Sequence, residues 1–351
     1  MTTTSTDVVV IGGGQAGLAA GYYLRRSGLD FVILDDQDGP GGSWQDYWPS
    51  LHLFSPAEYS RLPGWPMPPW PSGFPPASHV VDYLTSYESK YDLPVRRPVR
   101  VQLVHRGISG YRVDTDAGTF SAAAVINATG TWSRPFWPSY PGMRTFAGRQ
   151  LHAAHYRTPE RFEGQRVGIV GGGNSAAQIL AEVSTVAETL WFTTREPRFL
   201  PDDVDGRVLF DVASDRARVL DAGGDDSGGV AGLGDIVMVP PVKEARERGV
   251  LHSRSMFDAV VPSGVTDGRS TENLDALLWC TGFRPALRHL RPLHLRSDDH
   301  SAIELNGTHP TGEPTLQFLG YGDWTGPGSA TIIGVGRTAR AAVAALIEAL
   351  N

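Results

Sequence analysis

One pattern constrains the fold of this chain more than any other, and it occurs twice: an apolar run, a glycine-rich turn, a helix-compatible stretch and a second apolar run. In the first copy Val8-Val9-Val10-Ile11, fit for a strand buried on both faces, leads into Gly12-Gly13-Gly14-Gln15-Ala16-Gly17. A helical pattern then runs from Leu18 to Ser27, Gly28 stops it, and Phe31 to Leu34 forms the next apolar run. This is the strand, turn, helix, strand order of a dinucleotide-binding unit. Gly12 permits the turn, Gly14 lets the backbone approach a pyrophosphate, and Gly17 lets helix and sheet pack closely. The unpaired amides at the helix start, around Gln15 and Ala16, face the phosphates. Asp35 follows the second run, 23 residues after Gly12, near the offset of roughly 20 at which a carboxylate takes a ribose hydroxyl. The alternative is a glycine-rich structural turn, and the combination of strand, helix, strand and terminal acid weighs against it.

The second copy reads Arg166-Val167-Gly168-Ile169-Val170, then Gly171-Gly172-Gly173-Asn174-Ser175-Ala176, a helix-compatible stretch to about Ser184, and the run Leu190 to Thr194. Ala176 is an accepted substitute for the third glycine, because it too permits close packing. Here the strand leads to Arg195 and not to an acid. A guanidinium matches a phosphate dianion through paired donors, so the position favours a 2′-phosphate and hence NADPH over NADH. An ordinary surface arginine is the alternative, and Glu196 beside it keeps that open. Gly171, Gly173, Asn174, Ser175, Thr194 and Arg195 are the candidate contacts. The expected fold is α/β with two Rossmann-like domains, and two dinucleotide sites in one chain suggest electron transfer between their ligands.

Charge and cysteine usage narrow the function classes. Thirty-one basic against 38 acidic residues give a formal charge of −7 over 351 residues, the wrong sign for a general nucleic-acid or anionic-membrane binder. An anionic ligand must therefore be held locally, by backbone amides. A single cysteine, Cys280, excludes a disulfide framework, a cysteine-rich metal centre and a dithiol within the chain. The histidines lack metal-ligand spacing and no Gly-x-Ser-x-Gly elbow occurs, so hydrolytic chemistry has no support. No run of about 18 apolar residues is present. The start, Met1 to Asp7, lacks the cationic and apolar regions of a signal peptide, which makes the cytoplasm the expected address.

Between the two turns lies Phe146-x-Gly148-x-x-x-His152-x-x-x-Tyr156. It matches, position for position, the FxGxxxHxxxY identifying sequence of flavin-containing monooxygenases, and the chain resembles that family from end to end. The likeness is greatest to short bacterial ArsO-type members, through Gly41-Gly42-Ser43-Trp44, Leu53-Phe54-Ser55-Pro56, Leu62-Pro63-Gly64, Phe199-Leu200-Pro201-Asp202-Asp203-Val204-Asp205-Gly206 and Trp279-Cys280-Thr281-Gly282-Phe283. The resemblance implies FAD at the first turn, NADPH at the second, and a peroxide formed at the flavin C4a carbon that passes one oxygen to a small soft nucleophile, a nitrogen, sulfur or arsenic centre. Tyr156, where Baeyer-Villiger enzymes commonly carry tryptophan, weighs against ketone oxidation. His152 and Tyr156 read as an inter-domain, cofactor-positioning pair more readily than as proton-transfer groups. Spacing i, i+4 would set them on one helical face, but Pro159 soon ends any helix there.

The domain plan follows from two similar exits. Ala128-Thr129-Gly130 ends an apolar strand at the way out of the first domain, and Trp279-Cys280-Thr281-Gly282 has the same shape at the return. This gives an FAD domain of residues 1–145 and 280–351, with an NADPH domain of residues 146–279 inserted. In the family's pattern, Phe318-Leu319-Gly320-Tyr321-Gly322-Asp323-Trp324 resembles the motif whose carboxylate holds a flavin ribitol hydroxyl, though Asp323 is also a helix-cap candidate. Val101 stands where family members contact adenine through the backbone; a plain strand valine is the alternative.

Residues 44–76 contain nine prolines and Trp44, Trp48, Trp65 and Trp70. So long a loop with little room for regular structure is usually functional. It reads as a cover that keeps water from the flavin, with a packing loop as the alternative. Many family members carry an asparagine on this loop that steadies the oxygenated flavin. Leu51-His52-Leu53-Phe54-Ser55-Pro56 puts Phe54 at that position, so either His52 or Ser55 substitutes, or NADP takes a larger share, or peroxide leaks. Residues 221–234, with six glycines in fourteen, read as a solvated linker or a lid. Two other readings stay open. One is an NADPH:acceptor reductase without oxygen insertion, excluded in its thioredoxin-reductase-like form by the lone Cys280; the other is a flavin-bound sensor. The expected partners are a small-molecule substrate and dioxygen, with a homodimer left open.

Overall fold

The computed structural model describes residues 3–225, 228, 234–296 and 302–351. Strand β1 (Thr3–Ile11) passes through the first glycine turn into helix α1 (Gln15–Leu24) and strand β2 (Phe31–Leu34). Helix α2 (Ala77–Lys90) follows the proline-rich stretch, and β3 (Val95–Arg96), β4 (Val101–Gly107), β5 (Gly110–Thr115) and β6 (Gly118–Asn127) complete the order β3-β2-β1-β6-β5-β4. β1 is parallel to both β2 and β6, while β4, β5 and β6 form an antiparallel meander. The end of β1 is buried on both faces, as its unbroken apolar run requires: Val8 and Val10 enter the core with α1, Val9 and Ile11 the core beneath the meander.

The chain then leaves this sheet. β7 (Arg149–His152), β8 (Arg166–Val170), helix α3 (Asn174–Val183) and β9 (Glu188–Thr193) carry the second glycine turn between β8 and α3. Helices α4 (Gly206–Asp221) and α5 (Pro240–Glu247) precede β10 (Ser253–Ser255) and a small antiparallel sheet of β11 (Ala259–Val261), β12 (Gly264–Thr266) and β13 (Thr271–Asn273). β14 (Ala276–Trp279) closes a parallel sheet in the order β10-β9-β8-β14-β7. After a hairpin of β15 (Leu305–Asn306) and β16 (His309–Pro310), β17 (Leu316–Phe318) joins the first sheet parallel to β6, and α6 (Val335–Leu350) packs on α1. The architecture is thus α/β with two Rossmann-like sheets, the second inserted between β6 and β17 of the first. After β6 the chain reaches the second sheet through Trp137, which lies on His152, and Tyr140, which lies on Phe257 and Trp279.

The two crossings between the sheets run side by side as a short ribbon. Phe136 N–H donates to the Gly282 carbonyl (2.9 Å), Arg284 N–H to that of Arg134 (2.9 Å) and Ala286 N–H to that of Gly130 (3.0 Å). Thr281 Oγ1 donates to the Phe136 carbonyl at 2.5 Å, Trp132 stacks on Phe283 with centroids 4.9 Å apart, and the Arg284 guanidinium sits 4.2 Å over the Phe136 ring. Of residues 221–234, only 221–225, 228 and 234 are among the described residues, so the linker or lid reading of that stretch lies outside them.

Candidate active site

The first turn is built as its glycines require. Gly12 has φ +105° and a Cβ there would lie 2.5 Å from the Ala128 carbonyl oxygen, while a Cβ on Gly17 would lie 1.9 Å from the Gly12 oxygen. Gly14 differs. It starts α1 with ordinary extended backbone, and a Cβ there would meet nothing nearer than the Gly42 Cα at 3.8 Å. The space in front of this turn is a cleft of about 1910 Å³ lined by Gly12, Gly14, Gln15, Ala16, Asp35, Gly42, Ser43, Trp44, Val101, Ala128, Thr129 and Gly130. Its volume exceeds the roughly 300–1,000 Å³ of an ordinary small-ligand pocket and suits an extended dinucleotide. Gly17 does its work one layer back, between helix and turn.

Polar groups hold the walls in place. Asp35 is buried and accepts from Arg97 Nε at 2.6 Å, and Arg97 also grips Glu88 through both terminal nitrogens (2.7 and 2.8 Å). Burial raises the Asp35 carboxyl above the ordinary aspartate range, outweighing the Arg97 bond that lowers it. Gln15 is a clamp: its Oε1 accepts from Trp44 Nε1 (3.0 Å) and its Nε2 donates to the Ala330 carbonyl (2.8 Å). Val101 begins β4 beside a register shift and borders the cleft. Arg100, Arg288, Arg291 and Arg296 line the same cleft, supplying local positive charge that the net charge does not.

A buried network that sequence reading missed lies under Thr129. Asn127 Nδ2 donates to the Tyr321 hydroxyl (2.7 Å), which leaves Asn127 Oδ1 to accept from His289 Nε2–H (2.7 Å); Thr129 Oγ1 meets Tyr321 at 2.8 Å. His289 Nδ1 therefore carries a lone pair. Burial lowers His289 from 6.5 to about 4. The unfolded chain binds more protons than the native one between those values, so this contribution is present above pH 6.5 and is withdrawn as pH falls toward 4. The loss of urea-unfolding free energy from pH 7 to pH 5 is expected to be about 2 kcal/mol smaller in His289→Gln than in the parent; equal losses would contradict this.

The second turn repeats the steric logic. Gly171 has φ +133°, and a Cβ there would lie 2.3 Å from the Cys280 carbonyl oxygen; around Gly173 nothing lies within 4 Å. A cleft of about 400 Å³ is lined by Gly172, Gly173, Thr194, Arg195 and Asp235. Three expected contacts do not line it, Gly171, Asn174 and Ser175. Asn174 spends its Oδ1 on the Val237 N–H (2.8 Å), tying α3 to the segment before α5.

His152 and Tyr156 are both fully buried, and no helix joins them: β7 ends at His152, a single 3₁₀ turn follows, and Tyr156 is extended. They do not bond each other. His152 Nδ1 accepts from the Ala154 N–H (3.1 Å), so Nε2–H donates to the Gly282 carbonyl (3.1 Å), and burial lowers its pKa. Its partner is thus the return crossing, whose next residue, Phe283, lines the cleft. Tyr156 donates to Glu182 Oε2 (2.8 Å), while Glu182 Oε1 accepts from Trp48 Nε1 (3.2 Å) and Ser50 Oγ (2.6 Å). Burial, with Glu182 adding to it, raises the Tyr156 hydroxyl far above its ordinary pKa. Glu182, which no motif marks, therefore joins the fingerprint, α3 and the tryptophan loop.

Several expectations need correction. His52 is exposed, and neither it nor Phe54 nor Ser55 lines the cleft. The Phe54 carbonyl accepts from the Gly206 N–H (2.8 Å), and a Cβ on Gly206 would lie 2.8 Å from Ser55 Oγ, so this segment docks on the start of α4. Of the four loop tryptophans only Trp44 borders the cleft; Trp48 enters the second core, and Trp65 and Trp70 lie on Tyr83 and His79 of α2. Tyr47, Trp132 and Phe283 supply the cleft's other aromatic walls. Asp323 and Trp324 are also outside it. The 3₁₀ turn Gly322–Thr325 aims Asp323 outward to Arg216 of α4 (2.7 Å) and seats Trp324 against Phe318 and Tyr321. Gly320 and Ala330 line the cleft instead, and α6 begins only at Val335. Thr281 and Gly282 act through the ribbon. Among the described residues, no cluster of three or more metal-ligating side chains occurs and no helix is long and apolar enough to cross a membrane.

Comparison with known proteins agrees with this geometry. The family model described as pyridine nucleotide-disulphide oxidoreductase matches residues 9–208. A solved flavin-containing monooxygenase from Stenotrophomonas maltophilia is 51% identical with a TM-score of 0.90, covering 99% of this chain and 100% of that one. The "Uncharacterized oxidoreductase CzcO" of Bacillus subtilis (strain 168) is 30% identical over 336 residues, 95% of this chain and 96% of that protein. A Baeyer-Villiger monooxygenase of Streptomyces coelicolor (strain ATCC BAA-471 / A3(2) / M145) is 33% identical over 207 residues, 57% of this chain and 40% of that protein.

Proposed function

Because the chain belongs to the flavin monooxygenases, within the pyridine nucleotide-disulphide oxidoreductase family, we propose that it transfers one oxygen atom from dioxygen to a small soft nucleophile, a nitrogen, sulfur or arsenic centre. The other oxygen leaves as water. It is an oxidoreductase of a family that uses FAD and NADPH. The observation that carries the reading is the pair of glycine cradles in one chain, a dinucleotide-sized cleft at the first and a smaller, arginine-bordered one at the second.

In this reading residues 1–145 and 280–351 hold FAD, with Gly12, Gly14, Gln15 and Ala16 at its pyrophosphate, Asp35 at the adenosine ribose and Val101 at adenine. Residues 146–279 hold NADPH at Gly172, Gly173, Thr194 and Arg195. Bound there, the flavin would supply the redox chemistry that the chain's own side chains lack, two-electron exchange with the nicotinamide coenzyme and activation of dioxygen. The protein positions and dries the site. Trp44, Tyr47, Trp132 and Phe283 wall the cleft with apolar surface. His152 is a positioning residue that fixes the backbone before Phe283, and the Glu182 bonds hold the loop that carries Trp44 and Tyr47.

No loop amide stands where the family's asparagine would, and Phe54 turns its carbonyl to α4, so part of the reducing power is expected to escape as hydrogen peroxide. The test is anaerobic reduction of the holoenzyme with NADPH, mixing with oxygen, and a balance of NADPH, oxygen, peroxide and product with a thioether, an amine or arsenite as acceptor. Acceptor-stimulated oxygen uptake with oxygenated product, together with measurable peroxide, is the expected result. Oxygen uptake indifferent to every acceptor would favour the reductase, and equal moles of product and NADPH without peroxide would contradict the leak.

A further inference from the structure

The cleft at the second glycine turn contains an acid that the strand-end arginine does not explain. Asp235 Oδ1 accepts from Arg195 Nη2 at 2.7 Å, and Arg198 reaches both carboxylate oxygens at 3.2 Å, Nε to Oδ2 and Nη2 to Oδ1. The carboxylate is only 16% exposed, whereas Arg195 is 66% exposed. Backbone geometry puts the acid there: Asp235 N–H donates to the Arg198 carbonyl (2.8 Å) and Leu200 N–H to that of Ile236 (2.9 Å). Gly234 passes the crowded point with φ +158°, and Asn174 holds the next turn of chain through the Val237 N–H. The carboxylate is thus tethered to both the arginine segment and the start of α3, and it lines the cleft with Gly172, Gly173 and Thr194.

We propose that Asp235 is a coenzyme-selectivity residue: it stands where the adenosine ribose of the nicotinamide coenzyme binds, engages Arg195 and Arg198, and opposes the 2′-phosphate, so that NADH is accepted beside NADPH. This rests on the reading that the second turn holds that coenzyme. A ribose hydroxyl is neutral and can donate to a carboxylate, as it does to the acid that ends the equivalent strand in NAD sites. A 2′-phosphate carries close to two negative charges near neutral pH and has no proton to offer. It must share guanidinium groups that Asp235 already engages through Arg195 Nη2 and through Arg198 Nε and Nη2, against a like charge a few ångströms away. Arg198 holds the Asp235 carboxyl below its ordinary range, so the opposing charge persists across neutral pH.

The experiment is calorimetric titration of the FAD-loaded protein with NADP⁺, NAD⁺ and adenosine 2′,5′-bisphosphate, using the parent, Asp235→Asn and Arg195→Gln. Asparagine keeps the size and an acceptor oxygen, and melting curves check that the fold is intact. For Asp235→Asn, NADP⁺ and adenosine 2′,5′-bisphosphate are expected to bind about tenfold tighter, and NAD⁺ to change by less than about threefold. The gain should shrink as salt rises, and the kcat/KM ratio of NADPH to NADH should rise through KM. Arg195→Gln should move the phosphate-bearing ligands the opposite way. NADP⁺ affinity unchanged or weakened in Asp235→Asn overturns the proposal. If it is unchanged there yet falls in Arg195→Gln, the coenzyme reading survives without it. If the parent binds none of the three ligands, both fall.

Discussion

Gly14→Ala is expected to give a folded protein that purifies without its yellow colour. The backbone there, φ −78° and ψ −171°, is open to any residue, and the added methyl would find its nearest neighbour at 3.8 Å. The fold should therefore stay intact, and the thermal midpoint close to the parent's when both are compared without FAD. The methyl would instead occupy the approach to the helix-start amides, where a pyrophosphate has to sit within hydrogen-bond reach. Losing one or two charge-assisted bonds of about 1.5–3 kcal/mol each lowers FAD affinity by about tenfold at the least and by more than about 100-fold if both are lost. The ratio of flavin to protein absorbance, before and after incubation with excess FAD, measures it. Gly17→Ala is the contrasting case, because its Cβ would lie 1.9 Å from the Gly12 oxygen and the turn itself would have to move. A Gly14→Ala protein as yellow as the parent would remove the first glycine turn from flavin binding.

Glu182→Ala is expected to cost about 2–4 kcal/mol, since it leaves the buried Trp48 and Tyr156 donors without an acceptor, at about 1–3 kcal/mol each. Glu182→Gln keeps one acceptor oxygen and should recover much of that. A second readout separates positioning from mere stability: with the loop from Trp44 to Ser50 released from α3, the peroxide formed per NADPH consumed should rise in Glu182→Ala at temperatures well below its melting point. An alanine variant that melts with the parent and leaks no more peroxide would show that the carboxylate does neither job.

What could be read from the chain alone was whatever backbone geometry dictates locally. The glycine turns, the apolar strands flanking them and the exit at Ala128-Thr129-Gly130 are written in short windows, because Gly17 packs on Gly12 five residues away and the positive φ of Gly12 and Gly171 is a demand of the local backbone. The Phe146 to Tyr156 fingerprint located two buried, hydrogen-bonded residues but not their partners. Gly282 and Glu182 are 130 and 26 residues away from His152 and Tyr156, and neither pairing has a spacing rule. The residues that lie away from the cleft share a cause. Phe54, Ser55 and Asp323 were placed by motif position, yet each turns toward α4, an element of the inserted half whose packing no local pattern encodes. Arg97, His289 and Asp235 escaped notice for the same reason: an isolated charged or imidazole side chain becomes informative only when the fold brings its partner to it.

The paired crossings limit how the two halves can move. Tethers at distant points would let the coenzyme-binding half swing in several directions, whereas connectors zipped to one another behave like the spine of a book. Opening and closing about that spine leaves the zipped bonds intact; sliding one crossing past the other would break them together. Away from the spine, the bonds of Glu182 to Trp48 and Ser50, of Gly206 to Phe54 and of Arg216 to Asp323 act as the clasp that such an opening would have to release.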